Sequence, residues 1–172
     1  MSRGIVILRA VALLVLIGAT GYSLYLWSYL PLRCVHAASL GAAALNAAEQ
    51  RNEYLMHRLA GRVRSDLDGC DCVFRADVRI PFALGDAAVA AGDARSAVRE
   101  YQQALLLDRR PEIYLNLGLA QLEALDRPAA VDNLARACAF NPALLSEIPY
   151  EEIRQETRQR LRVTYGEDWI EK

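Results

Sequence analysis

Apolar and polar positions divide the chain into four zones. From Ala10 to Leu32 no residue is charged, and Arg9 and Arg33 bound the run. Between residues 36 and 66 the apolar positions Leu40, Ala44, Ala48, Leu55, Leu59 and Val63 return every three or four residues, the spacing of one helix face. No proline breaks that stretch, which predicts a single long helix. From residue 78 to residue 143 a pattern repeats with an offset of 33 residues. Leu84-Gly85 returns as Leu117-Gly118, Asp93 as Asp126, and Ala97, Tyr101 and Ala104 as Ala130, Leu134 and Ala137. A repeat of this length marks stacked helical hairpins, in which small residues sit where backbones approach and a large one fills the space between. Leu144 to Arg162 reads as a last helix, with Glu147, Glu151 and Glu152 near its start and Arg158, Arg160 and Arg162 near its end, an order that suits the helix dipole.

The uncharged run predicts a membrane span. At about 1.5 Å per residue its 23 positions cover a hydrocarbon core of about 30 Å. Trp27 and Tyr29 suit an interfacial belt, Pro31 suits a helix exit, and Arg3 and Arg9 place the N-terminus in the cytoplasm. The run is too long for a cleaved signal peptide, and Arg33 before Cys34 argues against a lipoprotein signal. The expectation is a single-pass protein of the bacterial inner membrane. Residues 1–9 would be cytoplasmic and 10–32 would cross the lipid bilayer. Residues 33–77 would form a helical stalk or cap with a cysteine-containing loop, 78–143 two repeats, and 144–172 a capping helix and tail, all periplasmic.

Composition narrows the function. The net charge of −1 implies no bulk attraction to nucleic acid. Lys172 is the only lysine beside an abundance of arginine and alanine, a coding bias of GC-rich bacterial genomes. The stretch "SDLDGCDCVF" holds Cys70 and Cys72, a possible disulfide or redox pair. It lacks the two-residue spacing of thioredoxin-type motifs and the histidine of a haem-attachment motif. An unbroken helix would hold Cys34 and Cys70 about 45 Å apart, against the roughly 7 Å that a disulfide tolerates, so no Cys34 bridge is expected unless the helix doubles back. That leaves Cys70 and Cys72 unpaired, joined to each other, or bridged to another chain. Cys138 reads as a small core residue. His36 and His57 both fall on the predicted long helix, so neither a metal site nor a catalytic set is expected, and no cofactor. Trp169 in the polar tail reads as tucked onto the cap or as a docking contact.

The stretches 78–110 and 111–143 resemble the tetratricopeptide repeat family. The first supplies Leu84, Gly85, Gly92, Asp93, Ala97, Tyr101, Ala104 and Asp108; the second Tyr114, Asn116, Leu117, Gly118, Ala130, Leu134, Ala137, Asn141 and Pro142. Arg109 stands where the first closing proline would be, Gln121 replaces a usual Tyr or Leu, and Pro81 is where the first helix would start. The resemblance implies an all-α fold: a two-repeat α-solenoid after the transmembrane helix, with capping helices on both sides. It also implies that first helices line a binding groove, here Phe82, Asp86, Val89, Leu115, Leu119, Leu122 and Glu123. Helix 36–66 could fill that groove instead of a partner. The expected role is a non-catalytic scaffold or assembly factor for a complex in or at the membrane, with protein partners. The alternatives are a chaperone-like module holding client polypeptides, as in cytochrome maturation, and a thiol-active accessory using Cys70 and Cys72.

Overall fold

A computed structural model describes residues 3–25, 29–67, 70 and 77–166. Among these residues the fold is all-α, with no strand. Its helices are α1 (Arg3–Leu24), α2 (Leu30–Glu49), α3 (Glu53–Leu67), α4 (Arg79–Ala90), α5 (Ala94–Leu107), α6 (Pro111–Glu123), α7 (Arg127–Phe140) and α8 (Glu151–Tyr165). A 3₁₀ segment, Pro142–Glu147, precedes α8.

The membrane span is corrected. Among the described residues no helix is long and apolar enough to cross a membrane. The uncharged run is shared between two helices: α1 ends at Leu24 and α2 begins at Leu30. The part of the run within α1, from Ala10 to Leu24, covers only about 22 Å at the helical rise, short of a hydrocarbon core. Pro31 is not a helix exit; it lies in the first turn of α2, where its missing N–H costs no hydrogen bond. The single-pass inner-membrane placement with a periplasmic repeat domain therefore has no support. Trp27 lies outside the described residues.

The long helix 36–66 is also corrected, because it is a hairpin. The chain turns at Gln50–Asn52, where Arg51 has φ +55°. The Asn52 N–H donates to the Ala47 carbonyl at 2.9 Å, and the Asn52 side chain caps α3 by accepting from the Leu55 N–H at 3.1 Å. A left-handed residue followed by an Asx cap is a Schellman ending joined to a new N-cap. The α4–α5 turn is built the same way, with Gly92 at φ +73°, Asp93 N–H to Ala88 O at 2.9 Å, and the Asp93 carboxylate accepting from Ser96 N–H. So is the α6–α7 turn, with Leu125 at φ +64°, Asp126 N–H to Gln121 O at 2.8 Å, and the Asp126 carboxylate accepting from Ala129 N–H. Three consecutive hairpins thus share one turn, and α2–α3 is the first of them.

The interior explains the repeated residues. Ala97, Ala104, Ala130 and Ala137 are wholly buried, and Tyr101 and Leu134 fill the space beside them. A Cβ on Gly85 would stand 2.5 Å from the Tyr101 ring, and one on Gly118 would stand 2.7 Å from Leu134. Each Leu-Gly therefore admits the large residue of its own hairpin. Aligned on the turns, Ala44 and Ala60 of α2–α3 stand where Gly85 and Tyr101 do, a smaller pair serving the same approach. A Cβ on Gly41 of α2 would stand 3.0 Å from the Ala83 backbone of α4, so glycine there lets the first hairpin close onto the second.

Two smaller boundaries differ from expectation. Helix α4 starts at Arg79, two residues before Pro81, which its first turn accommodates. The last helix starts at Glu151, because Pro149 disfavours helical geometry at Ile148; Glu147 ends the 3₁₀ segment instead. Arg127 bonds Glu156 and Arg160 bonds Asp132, tying α8 to α7, and Gly166 at φ +89° ends α8. Trp169 lies outside the described residues. The described large side chains of α1 from Val11 to Leu24 stand in the open.

Leu125 holds a backbone conformation that glycine holds in the preceding hairpin, and its side chain is exposed. A left-handed non-glycine residue costs roughly 1–2 kcal/mol, partly offset by the greater unfolded-state freedom of glycine. Leu125→Gly is therefore expected to stabilise the chain by about 0.5 kcal/mol, read as a rise in urea midpoint at unchanged slope. A fall in midpoint would refute the strain.

Candidate functional site

Two concavities stand out. The first, about 460 Å³, lies where α2, α4 and the start of α6 converge. Val35, Ala38, Ser39 and Ala42 of α2 form one wall. Phe82 and Asp86, with Arg79, come from α4, and Ile113 and Glu112 from α6, with Arg110 just before it. The walls are mostly apolar, and the one hydroxyl, Ser39, donates to its own helix at His36 O, 2.7 Å.

Asp86 is the unusual residue of this groove. It is 3% exposed, yet it lines the cavity. The Tyr101 hydroxyl donates to Oδ1 at 2.7 Å, and Oδ2 accepts no hydrogen bond among the described residues. Burial pushes the Asp86 carboxyl up to about 6, and the Tyr101 bond pulls the other way. Burial likewise raises Tyr101, helped by the adjacent carboxylate, so its phenol stays protonated. The Phe82 ring tilts against Tyr101 with centroids 5.7 Å apart, which fixes the groove floor. At the rim the cations are already engaged. Arg79 forks onto Asp77 at 2.9 and 2.6 Å and holds that carboxyl below its usual range, and Arg110 pairs with Asp108 at 2.8 Å. Glu112 is exposed and makes no ion pair among the described residues.

The second concavity, about 810 Å³, lies between the ends of α6 and α8. Leu119, Leu122 and Leu125 meet Pro149, Tyr150 and Ile153 there. It is the larger of the two, but most of its charges are spent within the protein. Arg127 is held by Glu152 and Glu156, and Glu151 by Arg154 and Arg158. Glu123 is raised by partial burial. Among the described residues no buried polar side chain lines it, so the first concavity is the better candidate.

The seven residues expected to share one groove are divided. Phe82 and Asp86 line the first concavity; Leu119, Leu122 and Glu123 line the second. Leu115 is buried with Leu134 and Ile153, and Val89 packs on the core around Tyr101 and Ile113. The α2 wall differs from both expectations for residues 36–66, a stalk off the membrane or a cap filling the groove. Nor does α2 fill the groove: it forms one side of it. The signal for the hairpin was Asn52, a capping residue three positions before Leu55 in the middle of the apparent helix.

The cysteine expectation is corrected too. Cys34 and Cys70 are disulfide-bonded, with Cα atoms 6.2 Å apart, because the α2–α3 hairpin returns the chain to its starting end. Both are buried, so Cys70 is a staple between elements, not an accessible thiol. Cys72 lies outside the described residues. Cys138 is wholly buried and its thiol is raised to about 11 by that burial. Among the described residues no cluster of three His, Cys, Asp or Glu side chains could hold a metal ion. Compared with family models, characterised proteins and solved structures, the chain matches none.

Proposed function

We propose that this chain is a non-catalytic interaction module: a stack of hairpins of tetratricopeptide type that holds a segment of a partner polypeptide in the α2–α4–α6 groove, as a scaffold or assembly factor. The observation that carries this reading is the groove itself, apolar-walled and floored by a buried carboxylate with one oxygen left over. Its size falls in the range of ligand-binding clefts, about 300–1,000 Å³. Its polar lining offers groups for recognition and no nucleophile paired with a base. The α2–α3 hairpin supports the same reading, since about three stacked units are needed before such a stack becomes stable.

Ala42 is an exposed wall residue, so it permits a test that leaves the core intact. Twelve-residue peptides selected from a random display library against the full chain are expected to lose at least tenfold in affinity on Ala42→Arg, with an unchanged melting temperature. Selected peptides indifferent to that change, or none selected at all, would overturn the groove reading.

A further inference from the structure

We infer that the groove selects a cationic side chain, a lysine or arginine carried among apolar residues of the partner polypeptide, and that Asp86 is the group that receives it. This inference rests on the groove reading and adds the ligand chemistry. A carboxylate this far from bulk water gains from hydrogen-bond donors, and among the described residues Asp86 finds one, on Oδ1. Asp86 lines the cavity together with Phe82, Ile113 and the alanines of α2, where an apolar stem could pack. An ammonium or guanidinium at the end of that stem would supply both the missing donor and the missing countercharge. An anionic ligand is disfavoured, because Arg79 and Arg110 are already bound to Asp77 and Asp108. Counting those two pairs as neutral, the groove keeps Asp86 and Glu112 as uncompensated acids.

The probes are hexylammonium, hexanol and hexanoate, three chains of one length that differ in their head group, titrated into the full chain and followed by amide shifts near Phe82 and Ile113. At pH 8 hexylammonium is expected to bind at least tenfold tighter than hexanol, with hexanoate weakest. Asp86→Asn should bring hexylammonium to within threefold of hexanol while leaving hexanol binding unchanged, which also reports that the groove is intact. Glu112→Gln at the solvent-facing mouth should keep most of the preference, separating a contact at the floor from a general surface field. The preference should also decline from pH 8 to pH 5. Around Asp86, α2 contributes no charged lining group, α5 contributes Tyr101 (protonated throughout), and α4 and α6 contribute Arg79, Arg110 and Glu112; the Glu112→Gln chain repeats the decline if Asp86 is its source. Equal affinity for hexylammonium and hexanol in the wild-type chain, or a preference that survives Asp86→Asn, overturns the cation inference alone. Binding of none of the three overturns the groove reading beneath it.

Discussion

Replacing both Cys34 and Cys70 with serine is expected to lower unfolding free energy by about 4 kcal/mol. The bond closes a loop with a sequence separation of 36. Cross-linking a loop of that length removes about 4 kcal/mol of chain entropy from the unfolded state. The loss falls where the stack is weakest, because the α2–α3 hairpin places Ala60 where the later hairpins place Tyr101 or Leu134. A small side chain there buries little apolar area, so the staple carries a larger share of what holds the two ends of that hairpin together. Hydrogen exchange should therefore show protection lost first in α2 and α3, with α6 and α7 keeping theirs. Urea unfolding of the double variant, or of the wild-type chain under reductant, measures the whole effect. A change below 1 kcal/mol, or one spread evenly over all the helices, would show that the hairpin is held by packing alone.

What the sequence disclosed follows from which residues carry strong local signals. The 33-residue offset is a pattern of Leu-Gly, Asp, Ala and Tyr or Leu, and each member has a steric reason visible in the packing: glycine opposite a ring, alanine against a backbone, aspartate on a free N–H. Hairpin α2–α3 performs the same turn with weaker signals. Arg51 takes the left-handed position that Gly92 takes later, and arginine there announces nothing. The apolar spacing runs on through the turn, so periodicity alone joined two helices into one. That single error moved Cys34 and Cys70 to opposite ends, hid the disulfide and removed a wall from the groove. The membrane reading failed for a related reason: counting uncharged residues measures composition, not where a helix ends, and the run passes from α1 into α2. Asp86 was placed in the groove by its position in the repeat, but its burial and its bond to Tyr101 depend on three-dimensional packing that spacing does not encode.

Asp86→Asn should stabilise the chain at pH 8 by as much as about 3 kcal/mol, and the gain should vanish near pH 4. The folded carboxyl lies at about 6 against an ordinary value of 3.8, a difference of roughly two units at about 1.4 kcal/mol each. The sign follows from proton binding. Between those two values the folded chain holds a proton that the unfolded chain has released, so stability from this group is full below pH 4 and lost as pH rises through 6. Asparagine keeps the shape and can still accept from Tyr101, but it has no charge to desolvate. The carboxyls of Asp77, Glu151 and Glu156 are lowered by arginine partners and act oppositely, their contribution being lost as pH falls below the ordinary carboxylate range. The two windows are separate, so the difference between wild type and variant from pH 8 to pH 4 isolates Asp86. A variant less stable at pH 8, or a difference that does not change with pH, would mean that Asp86 is compensated within the fold. The expected result has a functional corollary. A side chain that weakens the fold, kept at the floor of a cleft with one oxygen unmatched, is accounted for by binding, because a cation arriving there recovers what folding leaves unsatisfied.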